Sequence, residues 1–189
     1  MHRNAFYIMG PSGSGKDSVI EGICQHFTDQ VSRPPRYITR ILNTADAEQH
    51  NVISPEIFNE LLVKDCFSLS WQANGYHYAY DKQWINDVTE NKIVLLNGSR
   101  EYWPEAKDKF TELLIPIALT LDTEVQRSRL EGRARESQAE IEARIMRNEA
   151  LTSDMQIDNI FQLNANQPLS DVVDDFVQLI LRVREGEIC

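Results

Sequence analysis

The sequence predicts an α/β fold: a parallel sheet core with helices on both faces. Three observations point there. An apolar run, Ala5-Phe6-Tyr7-Ile8-Met9, leads through a glycine-rich turn into a segment whose Val19, Ile20, Ile23, Cys24 and Phe27 recur on one helical face. The runs Ile93-Val94-Leu95-Leu96 and Ile115 to Leu121 are apolar without alternation, as strands buried on both sides are. Helix starts fall between and beyond them, so strands and helices alternate along the chain.

The elements follow in order. Gly10-Pro11-Ser12-Gly13-Ser14-Gly15-Lys16-Asp17-Ser18 has the spacing G-x-x-x-x-G-K between a strand and a helix, the phosphate-cradling loop of the P-loop NTPase fold. Its glycines let the backbone take positive φ and aim successive N–H groups at one anion, while Lys16 reaches the β and γ phosphates of a nucleoside triphosphate. Asp17 stands where a Ser or Thr hydroxyl ordinarily meets Mg²⁺. A carboxylate is also a hard oxygen ligand, so either Asp17 or the neighbouring Ser18 is the expected metal contact. After the first helix, Pro34-Pro35 breaks the chain and Arg36-Tyr37-Ile38-Thr39-Arg40 reads as a loop running into a short strand. Ser54-Pro55-Glu56 supplies an N-cap, a first-turn proline and a first-turn acid for a helix that buries Ile57, Leu61 and Leu62. Phe67 to Gln72 alternates at period two, Asn74-Gly75 turns, and Tyr76 to Tyr80 returns as a second strand. Further helices are expected from Thr123 with the cap Thr123-x-x-Gln126 and from Ser137 with Ser137-x-x-Glu140. Ile160 to Leu163 is the last strand, and a closing helix from about Ser170 turns Val173, Phe176, Val177, Ile180 and Leu181 inward.

At 189 residues, with 42% apolar and 25% charged side chains, the chain is large enough for one domain with a real core. A net charge of −10 argues against nucleic acid or an anionic membrane as partner. The basic residues nevertheless gather: 13 of the 19 are arginines, clustered at 33 to 40 and 127 to 147. Arginine grips phosphate oxygens with a planar fork, so two such clusters in an acidic protein suggest two small polyphosphate substrates. Solvated helix faces pairing with Glu131, Glu136, Glu140 and Glu142 account for a share of them. Cys24, Cys66 and Cys189 have no metal-ligand spacing, and an odd number without a signal peptide reads as reduced thiols in the cytoplasm. No apolar run approaches the ~20 residues of a membrane span.

Together the loop at 10 to 18, Thr39-Arg40, Phe67 to Trp71 with its aromatic return strand, and Arg129-Leu130-Glu131-Gly132-Arg133-Ala134-Arg135 resemble the guanylate-kinase branch of P-loop kinases over nearly the whole chain. Within that branch the sequence resembles the bacterial ribose 1,5-bisphosphate phosphokinases of phosphonate catabolism. The shared blocks are Gly15 to Ser18, Arg36 to Arg40, Leu69-Ser70-Trp71, Asn74-Gly75, Asn97-Gly98-Ser99-Arg100 and Arg133 to Glu136. The resemblance implies a single domain spanning 1–189, with a core at about 1–35 and 81–189, a small mixed acceptor-binding insertion at about 36–80 and an arginine-bearing lid at about 132–147.

It also implies ATP as co-substrate with Mg²⁺, and phosphoryl transfer to the 1-phosphate of ribose 1,5-bisphosphate, giving 5-phosphoribosyl 1-diphosphate and ADP. Gly10, Pro11, Ser12, Gly13, Ser14, Gly15, Lys16, Asp17 and Ser18 then bind ATP, with Asn164 beside adenine. Arg36, Arg40, Ser70, Tyr78, Asn97 and Arg100 face the acceptor, while Lys16, Arg133, Arg135 and Arg144 act on the transferring group. Tyr78 reads equally as a packed strand aromatic, His50 and His77 as ordinary loop or strand histidines, and Arg147 as a partner of Glu149 or solvent. Guanylate kinases place carboxylates just before the tryptophan and after the central strand to read guanine; here Ser70 and Asn97 stand there. Ala79-Tyr80 replaces a spot where the family tends to have glycine. Two rival readings stay open: a nucleoside monophosphate kinase of guanylate type, and a catalytically silent binding module.

Overall fold

A computed structural model describes residues 3–40, 50–133, 137–154 and 160–188, without the side chains of 133 and 152–154. A parallel five-stranded sheet lies at its centre in the order β2-β7-β1-β8-β9, formed by β1 (Ala5–Met9), β2 (Val31–Ser32), β7 (Ile93–Asn97), β8 (Leu114–Thr120) and β9 (Phe161–Asn164). The period of two along β1 explains its complete burial. Phe6 and Ile8 face one layer, with α1 (Lys16–Phe27) and α7 (Leu169–Arg184), where the Phe176 ring meets Phe6 edge to face at 5.6 Å. Ala5, Tyr7 and Met9 face the opposite layer, with Trp84 of α3 (Gln83–Thr89) and Trp103 of α4 (Trp103–Phe110). Helices thus cover both faces, as expected.

A second sheet holds the intervening segment in the order β4-β3-β6-β5, from β3 (Arg36–Ile38), β4 (His50–Val52), β5 (Phe67–Ala73) and β6 (Tyr76–Asp81). It is mixed: β3 pairs β4 in parallel and β6 antiparallel, and β5 pairs β6 antiparallel. The hairpin turn has Asn74 at φ 51 and Gly75 at φ 77, the pair of positive angles that Asn-Gly tolerates best.

Several local expectations shift. In α2 (Pro55–Val63) Ser54 caps the backbone N–H of Ile57 as expected, but Phe58 is the buried residue, packed on Phe67 and Ala79. Ile57 and Leu62 are 48% and 46% exposed, because the helix rests one edge on the small second sheet and presents the rest to solvent. Helix α5 (Thr123–Arg133) does not use Thr123 as its cap. Its first turn closes on the Asp122 carbonyl, and the Thr123 hydroxyl donates to Glu149 instead. The Ser137 and Glu140 box does form at the start of α6 (Gln138–Asp154). In α7 the inward set is Val172, Phe176, Val177 and Ile180, with Leu181 38% exposed. The last strand is 161–164, one residue later than expected.

Candidate active site

The chain leaves β1 and climbs into α1 through the glycine-rich loop. Gly13 and Gly15 take φ of 88 and 82, angles that only glycine adopts without cost, and the Ser14 N–H closes on the Pro11 carbonyl at 3.2 Å. A side chain at position 10 would put its Cβ 2.9 Å from the Leu119 carbonyl oxygen, so the loop lies against the end of β8. Lys16 donates from Nζ to the Gly10 and Pro11 carbonyls at 2.8 and 3.0 Å, arching over its own loop.

Three side chains outside the loop fix its far edge. Gln126 donates from Nε2 to the Ser12 carbonyl at 3.1 Å and accepts at Oε1 from Asn148 at 2.9 Å, a buried amide chain joining the loop, α5 and α6. Arg144 of α6 donates to the Ser12 hydroxyl. Arg129 of α5 spans two carbonyls, Gly13 at 3.4 Å and Ala165 at 2.9 Å. Between these banks opens a cleft of about 250 Å³ whose lining includes Gly13, Ser14, Gly15, Ser18, Arg129 and Ala165. Asn164 does not line it. Its Oδ1 accepts from the backbone and side chain of Asn166 at 3.0 and 2.8 Å, and so shapes the loop that carries Ala165.

On the other side of the first turn of α1, Asp17 faces a cavity of about 10 Å³ shared with Arg33, Arg36, His50, Tyr80 and Asn97. Asn97 donates from Nδ2 to Asp17 at 2.8 Å, and the Arg33 guanidinium lies 3.6 Å from the same oxygen. Partial desolvation pushes the Asp17 pKa up, but Arg36, Lys16, the Asn97 hydrogen bond and Arg33 outweigh it and hold the carboxyl below its usual range. Asp17 and Ser18 therefore diverge: the carboxylate faces the arginine cavity and the hydroxyl the larger cleft. Either one alone suits Mg²⁺ that carries phosphates and water as its other ligands, since an ionised carboxylate and a hydroxyl are both hard oxygen donors. Among the described residues no group of three or more His, Cys, Asp or Glu could hold an ion alone.

Arg36 reaches back from β3 to the Asn97 carbonyl at 3.4 Å and to His50 Nε2 at 3.4 Å, and its guanidinium lies 5.9 Å from the centre of the Tyr78 ring. Tyr78 is a packed aromatic as well as a neighbour of that cation: Trp71 stacks on it at 5.6 Å and on Tyr102 at 5.7 Å. Tyr80 Oη accepts the Asn97 N–H at 2.9 Å; burial is the main cause that pushes its pKa up to about 12, with Arg36 opposing. Ser70 is half-buried beside Trp71, its N–H donating to Tyr102 Oη at 3.4 Å. Arg40 is exposed two residues beyond β3.

Arg100 is half-buried outside the Asp17 cavity; desolvation and then the adjacent Arg147 lower its pKa to about 10. Arg147 pairs neither with Glu149 nor with solvent alone. It bonds to both carboxylate oxygens of Glu101 and, at 2.6 Å, to Asn74 Oδ1 in the hairpin turn. Arg135 and the Arg133 side chain lie outside the described residues. Sequence reasoning missed Arg33, Arg129 and the Gln126 and Asn148 pair as parts of the site. The arginine clustering was the available signal for the first two, while the amides gave none.

The fold and the loop together define a P-loop kinase. The structure is similar to guanylate kinase from Anaplasma phagocytophilum, with a TM-score of 0.69 at 14% identity over 97% of this chain and 86% of that one. A gluconokinase from Sinorhizobium meliloti 1021 gives a TM-score of 0.55 at 16% identity. No family model matches the chain. By sequence it is 34% identical to the ribose 1,5-bisphosphate phosphokinase PhnN of Pseudomonas fluorescens (strain SBW25), over 89% of this chain and 90% of that protein. It is 38% identical to the same-named protein of Azotobacter vinelandii (strain DJ / ATCC BAA-1303), over 78% and 80%. The chain belongs to the ribose 1,5-bisphosphate phosphokinase family.

Proposed function

We propose that this enzyme transfers the γ-phosphoryl group of ATP to the 1-phosphate of α-D-ribose 1,5-bisphosphate, releasing ADP and 5-phosphoribosyl 1-diphosphate. One observation in the site supports this reading over guanylate chemistry. The Asp17 cavity gathers Arg33, Arg36 and a histidine, while the position that would read a purine with a carboxylate holds Asn97, whose amide is committed to Asp17. Losing charge-assisted hydrogen bonds of about 1.5–3 kcal/mol each forfeits selectivity for the base and leaves the anion clamps intact.

The chemistry asks little beyond alignment. A 1-phosphate oxygen is already ionised at neutral pH, its second pKa being about 6, so it attacks the γ-phosphorus without a general base. A new P–O bond forms as the bond to the β-phosphate oxygen breaks, and ADP leaves with that electron pair. In this reading Gly13, Gly15 and Lys16 hold the β and γ phosphates and Arg129 secures the nucleotide cleft. Arg36 and Arg40 hold the acceptor with Tyr78, Ser70 and Arg100 around it, and Arg144, with Arg133 and Arg135, covers the transferring group. Magnesium, when bound with ATP, neutralises phosphate charge, and Asp17 or Ser18 holds it. We read the chain as one kinase domain, its insertion at about 36–80 receiving the acceptor and its lid at about 132–147 carrying Arg144 to the loop at Ser12. In this reading the enzyme works in the cytoplasm, where thiols such as those of Cys24 and Cys66 stay reduced.

The test is ADP release with ribose 1,5-bisphosphate, GMP and AMP offered in parallel. Turnover with the bisphosphate at least a hundredfold above that with either nucleotide is expected, below the roughly 10⁴- to 10⁵-fold that sites reach when a wrong ligand leaves their polar groups unpaired. Preference for GMP overturns the reading.

A further inference from the structure

We infer that Asn97 is the positioning residue of the metal contact: its side-chain amide anchors Oδ1 of Asp17, so that Oδ2 is the oxygen offered to the Mg²⁺ that enters with ATP. The inference rests on the proposed phosphotransfer for its use of Mg²⁺, and it decides between Asp17 and Ser18.

The sheet brings the two residues together. β7 runs parallel to β1, and Asn97, the last residue of β7, is level with Ile8, one residue before β1 ends. The carboxyl end of β7 therefore lies beside the first turn of α1. Residues 80 positions apart meet there in a hydrogen bond of 2.8 Å, from Asn97 Nδ2 to Asp17 Oδ1. An ionised carboxylate only accepts, so the amide must turn its nitrogen toward Asp17.

The anchor is fixed and the anchored group is not. Asn97 is 6% exposed, and the buried Tyr80 accepts its backbone N–H at Oη at 2.9 Å. Its carbonyl accepts from Tyr80 Oη and from Arg36 Nη1, both at 3.4 Å. These bonds hold the backbone and leave the side chain for Asp17. The Asp17 side chain, by contrast, is 66% exposed, and an exposed carboxylate has several staggered rotamers open to it. A hydrogen bond from a buried amide selects one.

Only one oxygen of that carboxylate is engaged. Arg33, at 3.6 Å, addresses the same Oδ1, and among the described residues no hydrogen bond reaches Oδ2. One oxygen held by the protein and the other left open is how a carboxylate is oriented to bind a cation. Ser18, exposed on the same turn, has no such anchor among the described residues. Phosphate loops ordinarily hold Mg²⁺ between their own Ser or Thr hydroxyl and an aspartate from elsewhere in the chain. Here the loop brings the carboxylate and β7 the neutral group. An amide steadies Asp17 without setting a second negative charge beside the phosphates.

The experiment titrates Mn²⁺, a paramagnetic substitute for Mg²⁺, into the full-length enzyme with ADP and no acceptor, and counts bound ion by electron paramagnetic resonance. In Asn97→Ala the Mn²⁺ Kd is expected to rise about tenfold, the lower end of the 10- to 100-fold that follows loss of a hydrogen bond to a metal ligand, because phosphates and water remain on the ion. Metal-free ADP affinity should stay within about twofold. In turnover, the Mg²⁺ concentration for half-maximal rate should rise by a similar factor and KM for the acceptor should hold within about twofold. Saturating Mg²⁺ should restore kcat, a rescue that a distorted loop would not allow. An unchanged Mn²⁺ Kd overturns the inference, as does a raised acceptor KM with Mn²⁺ affinity intact, which would make Asn97 an acceptor contact. The Mn²⁺ titration contains no acceptor, so a wild type that prefers GMP would defeat the functional reading and leave this result standing. Should Asn97→Ala not fold, Asn97→Ser, whose hydroxyl is one atom too short to reach Asp17, is judged by the same ratios.

Discussion

At the scale of single residues, the site depends on keeping one carboxylate ionised among cations. Asn97 matters because it is an amide: its Nδ2 donates to Asp17 at 2.8 Å. Asn97→Asp would set two carboxylates at that distance, and such pairs share a proton rather than ionise together. Turnover at pH 8 should fall about tenfold or more, since each unit of pKa shift is a factor of ten, and should recover partly toward pH 6 as the shared proton is retained. A flat pH profile in the variant would contradict this account. His50 makes a second pH prediction. Its folded pKa of about 4 lies below the 6.5 of a free ring, so the unfolded chain takes up the proton first. Its contribution to stability is whole above pH 6.5, declines as pH falls from there to about 4, and levels off below. Urea midpoints measured across that range should slope less in His50→Asn than in the wild type.

At the scale of elements, the loop after β7 is held by a close packing that one methyl group would disturb. Tyr7 Oη accepts the Ser99 N–H at 2.9 Å and donates to the Ser99 carbonyl at 3.1 Å, while a Cβ on Gly98 would fall 2.1 Å from Tyr7 Cζ. Gly98→Ala should therefore cost about 1–3 kcal/mol by overpacking, read as a lower urea midpoint. Because Ser99 and Arg100 follow directly, KM for the acceptor should rise too. Which elements the sequence disclosed follows the same logic of locality. The phosphate loop, the Asn74-Gly75 hairpin and the Ser137 box are set by residues within a few positions of each other, and they read correctly. Strand β2 is two residues long and exists only through its pairing with β7, while α3 and α4 carry little apolar periodicity beyond Trp84 and Trp103. Of Ile57, Leu61 and Leu62, the apolar set expected to form the buried face of α2, Leu61 packs on the second sheet, but Phe58 makes the buried contact with Phe67 and Ala79 while Ile57 and Leu62 stay exposed. Site residues show the same division: Lys16 is plain from its motif, but the reach of Gln126 to Ser12 spans 114 positions and leaves no local trace.

At the scale of the whole molecule, α6 touches both the phosphate loop and the hairpin of the second sheet. Arg144 meets the phosphate loop at Ser12, and one turn on, Arg147 holds the hairpin turn at Asn74 and the loop at Glu101. The Arg147 and Glu101 side chains are 36% and 42% exposed, so their pairing adds little to global stability, under about 1 kcal/mol. Its effect falls on how the second sheet and α6 approach each other. Arg147→Ala should leave the urea midpoint nearly unchanged, raise KM for the acceptor several-fold and speed limited proteolysis; high salt should move the wild type toward the variant. Unchanged kinetics and proteolysis would show that the bridge is ornamental. Arg129, finally, spans the cleft beside the phosphate loop from Gly13 to Ala165 with one flat cation. The opening between those banks is thus gauged like a caliper set to a fixed jaw, and what slides in must match the thickness of the gap already held open.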